Sequence, residues 1–379
     1  MIFHRILLTL AVVLMAGSVS AVAQEIDVWL GTGSRGPETG IYHCMLNTET
    51  GKLGPSKRVG EIQRPGFIAM HPKGTHIYSV GTVADVPSIA CFKIVATGNK
   101  AKLKLVNSVP VGDGGSAHVS VDPTGNMLLS AQYGGGSVAA YELAESGRIL
   151  RQTTLIEHQG GSGVFGNRQD ASHAHWTGFS PDNRYAFVPD LGLDQVVIYK
   201  VDLGNATIHP HGHADVPPGS GPRHMKFHPN GKWIYVLNEL SLAVSVFDYD
   251  AKTGSMKIKQ TIPTVDPEEL KLEKFKSCSE IRVHPNGQFV YAANRGHDTI
   301  TAFSVGKDGA LEMIQNEHVR GSIPRNFNLD PSARWLLVGG QASNTLACFE
   351  VNPGSGRMTY NQNVINSPSP ICVVFGADR

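Results

Sequence analysis

Residues 224–238 read "HMKFHPNGKWIYVLN". Two short apolar-rich runs flank a His-Pro-Asn-Gly turn. Proline pre-sets its own φ, and Asn-Gly accepts the positive φ of a tight turn. The stretch therefore reads as two antiparallel strands. Five more copies follow the same plan: "FIAMHPKGTHIYSVG", "HVSVDPTGNMLLSAQ", "HWTGFSPDNRYAFVPD", "EIRVHPNGQFVYAAN" and "NFNLDPSARWLLVGG". Their prolines are Pro72, Pro123, Pro181, Pro229, Pro285 and Pro331. After each copy comes a third apolar run, such as "SVAAYEL" or "TITAFSV", and then a more polar fourth, such as "GRILRQTTLI". Four strands in a unit of about 50 residues is the period of a β-propeller blade.

The ends of the chain complete the ring. "SPSPICVVFG" near the C-terminus matches a first strand, while "DVWLGTGS" and "GIYHCML" near the N-terminus match a second and third. Pairing them in one blade leaves no free sheet edge. The expected fold is all-β: a seven-bladed β-propeller of four-stranded blades, one of them closed by the N- and C-terminal strands. The expected domains are a secretory signal over 1–23 and a single propeller over 24–379. The signal reading rests on His4 and Arg5, an apolar run from Ile6 to Ala16, and the small-residue pattern Ala21-Val22-Ala23. It implies export to the periplasm or beyond, with no membrane span in the mature protein.

The 379 residues carry 33 Lys and Arg against 32 Asp and Glu, a net charge of +1. That balance argues against nucleic acid as a partner. The five cysteines are odd in number and hold no C-x-x-C. Cys91 and Cys348 share one blade position with Ala140, Ile198, Val246 and Ala302, and Cys44 falls where other blades have Phe or Tyr. These three read as packed apolar residues.

Function is sought at the end of the channel opposite the x-Pro turns. There the first strand of each blade begins and the second ends. Six residues before the proline the blades carry Gly66, Ala117, His175, Arg223, Ser279 and Arg325, with Ile371 in the split blade. The next position holds Phe67, His118, Trp176, His224, Glu280, Asn326 and Cys372. Ten residues after the proline come Thr82, Tyr133, Leu191, Glu239, Arg295 and Gln341, with Asp190 just before Leu191. The fold does not demand charge at positions that elsewhere are Gly, Ala or Ile. Arginine forks suit a carboxylate or phosphate, and His and Glu suit proton transfer near neutral pH.

These stretches resemble the seven-bladed lactonase-type propellers. That family includes the propeller form of bacterial 6-phosphogluconolactonase and the fungal carboxy-cis,cis-muconate cyclising enzyme. The likeness is carried by "GPRHMKFHPNGKWIYVLNE", "SHAHWTGFSPDNRYAFVPDLGLDQVVIY", "FVYAANRGHDTITAF" and "IPRNFNLDP". It implies an enzyme that hydrolyses or forms a lactone, with His175, Arg223, Glu239 and Arg295 as the catalytic set. Arg325, Gln341, His118, Tyr133, Asp190 and His224 would contact the ligand. The implied partner is a small lactone or sugar acid, with no cofactor or metal, acting in a monomer. One departure is that the first blade reads "SVGTVADVP" where many relatives have Asn-Glu. An exported protein would not meet a cytosolic sugar phosphate, so an unphosphorylated sugar lactone or an aromatic-derived lactone is the expected substrate. A non-catalytic propeller that binds a small anion or a protein is the alternative.

Other motifs point elsewhere. "HPHGHAD" sets His209, His211, His213 and Asp215 in a row that could hold a metal, but it reads better as a polar inter-blade loop. No G-x-S-x-G elbow appears. The glycine-rich "HQGGSGVFGNRQDASH" matches no nucleotide fingerprint and reads as a cover for the channel mouth.

Overall fold

The structure is a computed structural model that describes residues 25–376. The segment read as a secretory signal lies outside the described residues. Seven four-stranded antiparallel sheets follow one another along the chain. We number blades 1 to 6 in the order of the six prolines and the split blade 7. Blade 7 places Pro370–Phe375 innermost, pairs it with Glu25–Thr32, and continues through Ile41–Asn47 to Lys57–Gly60. The ring closes through backbone pairs such as Val28 with Phe375 and Leu30 with Val373.

The core lies between blades. One cluster joins Tyr291 and Ala302 of blade 5 to Phe327, Leu336 and Phe349 of blade 6. Another joins Val28 and Cys44 of blade 7 to Trp335 and Cys348 of blade 6. Because each blade is sandwiched, its second strand is buried on both faces, as Tyr185–Asp190 is at every position. This is why the second and third runs are continuously apolar rather than alternating. The outer strands alternate, as in Ser255–Pro263. All five cysteines are buried free thiols; burial pushes Cys44, Cys91, Cys278 and Cys372 up to about 12, so they behave as packing groups.

The repeat residues have local work. The residue before each proline closes the turn: Asp122 Oδ1 accepts from the backbone N–H of Asn126 and Met127, and Asp330 Oδ1 from that of Trp335. An aromatic residue of the second strand then reaches the next blade. Tyr78, Tyr235 and Tyr291 donate to the carbonyls of Gly147, Gly309 and Gly356, and Trp335 Nε1 donates to that of Thr48. Gly309 has φ +86°, and a Cβ there would lie 2.3 Å from the Trp233 ring, so glycine is required on both counts.

One local expectation changes. His209, His211 and His213 lie in the exposed outer strand Thr207–Asp215, not in a loop. His211 Nε2 lies 2.6 Å from the Thr253 carbonyl, and among the described residues no cluster of metal-ligating side chains forms. The departing segment of blade 1 is a tight hairpin, with Ala84 and Asp85 both at positive φ.

Candidate active site

In blades 2, 4, 5, 6 and 7 the first strand begins with a β-bulge. Pro222 pairs with Asn238 but His224 pairs with Leu237, which leaves Arg223 as the extra residue. The same offset leaves Ala117, Arg325 and Ile371 unpaired in blades 2, 6 and 7. A bulge re-aims one side chain without disturbing the ladder beyond it. Here it turns the position six before the proline into the channel. Gly66, Ala117, His175, Arg223, Arg325 and Ile371 accordingly line one cavity of about 110 Å³, with Phe67, Ser116 and His224. The small Gly66 and Ala117 of blades 1 and 2 open the space, Ile371 of blade 7 gives it an apolar side, and blades 3, 4 and 6 supply its polar wall.

Glu239 is the electrostatic centre. Its Oε2 accepts from Arg223 Nε at 2.8 Å and lies 3.2 Å from Arg295 Nη2, while Oε1 accepts from Arg168 Nη2 at 2.8 Å. Burial works against its charge, but Arg295 and Arg223 outweigh that and hold the carboxyl well below the usual range. His175 Nε2 stands 4.0 Å from Glu239 Oε2. Burial first, and then the Arg223 charge, pull His175 well below an ordinary histidine. It is a neutral imidazole at pH 7.

The arginines divide by role. Arg223 is committed to Glu239 and to the Ser279 carbonyl. Arg295 is held by Glu239, Ser277 Oγ and the Cys278 carbonyl and does not line the cavity. Arg325 faces the cavity with no hydrogen bond or ion pair among the described residues. Burial, then Arg295, pull it down to about 10, so it keeps its charge.

The remaining candidates separate. His224 lines the floor, its Nδ1 3.2 Å from Glu280 Oε1. Tyr133 sits beside the cavity, stacked on His173 at 4.6 Å and edge-on to His175 at 5.4 Å. His118 lies one level deeper, 4.1 Å from the Phe67 ring, and faces the other side of the channel. Gln341 is half-buried on the rim, outside the cavity. Asp190 does not reach it: its carboxylate accepts from the backbone of His173, Gly192 and Leu193 and pairs with His158 Nδ1 at 2.6 Å. Its side chain is wholly buried and ties blade 3 together.

Arg168 is the residue that the repeat could not reveal. It comes from the glycine-rich segment read as a cover, which Gln169 anchors to Asp194 Oδ1 and the Leu191 carbonyl. Arg168 Nη2 reaches over the mouth to Glu239 and to Tyr133 Oη, at 3.2 Å.

Comparison with known proteins agrees with this architecture. The family pattern described as "Lactonase, 7-bladed beta-propeller" matches residues 27–375. A 6-phosphogluconolactonase of Formosa agariphila is 35% identical, over 88% of this chain and 95% of that protein. One of Bacillus subtilis is 31% identical, over 92% and 97%. The crystal structure of a Pseudomonas aeruginosa protein described as a periplasmic gluconolactonase superposes with a TM-score of 0.85 at 26% identity, over 93% of this chain and 99% of that one. With its ring of seven blades, its closure and its near-complete coverage, this chain belongs to the seven-bladed β-propeller lactonase family of hydrolases related to 6-phosphogluconolactonase.

Proposed function

We propose that this protein hydrolyses the lactone of a sugar acid outside the cytoplasm, with His175 as general base and Arg325 as the anion-binding group. The observation that carries the reading is an unpaired guanidinium beside a neutral imidazole in one small cavity. His175 would take a proton from water as the water oxygen bonds to the lactone carbonyl carbon. Arg325 and Arg223 would face the oxyanion, where preorganised donors contribute most. The ring C–O bond would then break, and the His175 proton would pass to the leaving oxygen. Glu239, 4.0 Å away, would stabilise the imidazolium while it exists. It is a weak base itself, because three guanidiniums hold its charge.

Export rests on the apolar segment before Ala23 and on the periplasmic description of the Pseudomonas neighbour. It favours an unphosphorylated lactone such as glucono-1,5-lactone. The free Arg325 charge favours a second reading, in which it holds the phosphate of a 6-phosphogluconolactone like that named for the curated relatives. Turnover of both lactones by wild type, His175→Ala and Arg325→Ala decides. Loss of at least 100-fold in kcat for His175→Ala with either substrate is expected. Arg325→Ala should raise KM selectively for the phosphorylated lactone only under the second reading. Wild-type protein inert towards both lactones would overturn the proposal.

A further inference from the structure

The channel holds a second chamber behind the first. The two are separated by a layer of rings: Phe67 contacts His118, and His118 contacts Trp176 and His224 at centroid distances of 5.3 and 5.5 Å. Beyond this plug lies a cavity of about 420 Å³ lined partly by Pro123, on the side of the x-Pro turns. That volume is within the range of small-molecule sites, about 300–1,000 Å³.

Its wall follows the same register as the active cavity. Three residues before the proline, blades 1 to 3 carry Ala69, Ser120 and Gly178, and the matching residue of blade 7 is Val374; all four line the chamber. Blades 4 and 5 carry Lys226 and Arg282 at this position. The blade needs no charge here, since five others, Asn328 of blade 6 among them, do without it, and the two cations are neighbours around the ring. Their surroundings leave them short of counter-charge. Glu280 is the nearby carboxylate, and its oxygens are engaged by His224, Asn326 and, at 3.5 Å, Arg282. The Lys226 ammonium lies 4.7 Å from the centre of the Trp176 ring and has no hydrogen bond or ion pair among the described residues. Burial, and then Arg282, pull it down to about 7, a cost that a bound anion would remove. Phe67, Trp176, Phe179 and Phe227 make the rest of the wall largely apolar.

We propose that this chamber is a second binding site, distinct from the lactonase cavity, for a small carboxylate with an aromatic or branched apolar body. The carboxylate lies between Lys226 and Arg282, and the body packs on Trp176 and Phe179. A sugar acid fits poorly, since its hydroxyls would meet apolar walls without partners.

The test uses 4-bromobenzoate. In crystals of the protein soaked with it, a bromine anomalous peak is expected beside Trp176. In calorimetry, Lys226→Met should weaken binding at least ten-fold, and Lys226→Arg should retain it. Ser120→Phe, which fills the chamber without removing a charge, should abolish it. Arg325→Ala, on the other side of the plug, should leave it unchanged. The proposal is overturned by a peak found only in the lactonase cavity, by binding lost on Arg325→Ala but kept on Lys226→Met, or by no saturable binding to wild type.

Discussion

Glu239 and Arg223 sit at the open end of one hairpin, and the pair is neither a solvated ion pair nor a free catalytic dyad. Both side chains are nearly inaccessible, and Glu239 gathers three guanidiniums. Removing one partner of a buried charge cluster leaves the others uncompensated. Glu239→Ala is therefore expected to lower unfolding free energy by about 3–5 kcal/mol, measured by denaturant titration. A change below about 1 kcal/mol would mean that the arginines find other partners or water. The residue types at this site were legible in the sequence, because the proline register aligns them. Their division of labour was not. Arg223, Arg295 and Arg325 are equivalent as letters, and only the carboxylate to which the first two are tied distinguishes them from the third.

At the scale of elements, the bulge and the cover segment make the site. In blades 2, 4, 6 and 7 the bulge turns one residue into the channel, so a slot defined by counting back from proline became part of a ring of side chains. The cover contributes Arg168 from outside the repeat, and nothing in the register could assign it a place. Its composition read as a cover for the mouth but did not say which side chain would reach the site; Val164 and Phe165 stay half-exposed, while Gln169 is wholly buried. Arg168→Ala should leave the blades intact and free one Glu239 oxygen. The expected result is an unfolding midpoint within about 2 °C of wild type, since Arg168 is partly exposed and Glu239 keeps two other guanidiniums, with kcat/KM on the lactone substrate reduced at least ten-fold. Unchanged kinetics would show that the segment covers the mouth without serving the chemistry. Asp190 illustrates the reverse error: a carboxylate next to the rim in sequence is turned into the blade, where four groups occupy it.

Across the whole molecule, the channel carries three buried histidines, His118, His175 and His224, each held well below the ordinary value of 6.5 mainly by burial. In the unfolded chain they take up protons first as the pH falls, so the stability that they leave intact above 6.5 is lost progressively below it. Each can contribute a slope of up to about 1.4 kcal/mol per pH unit. Thermal midpoints should fall steeply between pH 6.5 and 5, and His118→Gln should flatten that fall. An unchanged slope in the variant would assign the acid sensitivity to other groups. Glu239 adds to the loss at lower pH, since its folded value also lies below its unfolded one.

The blade count, the ring closure and the inward slots were determined by the sequence alone, because a propeller repeats one local solution seven times. Turn chemistry, strand length and two-sided burial are written into every copy, so an alignment of the chain on itself is already a map of the fold. What the tertiary structure decided is everything that joins different copies: which arginine keeps a free charge, which side chain of the cover reaches across the mouth, and how a layer of aromatic rings divides the channel into two chambers. Those depend on distances between residues from separate blades. No repeat encodes them, because the contacts exist only once the ring has closed.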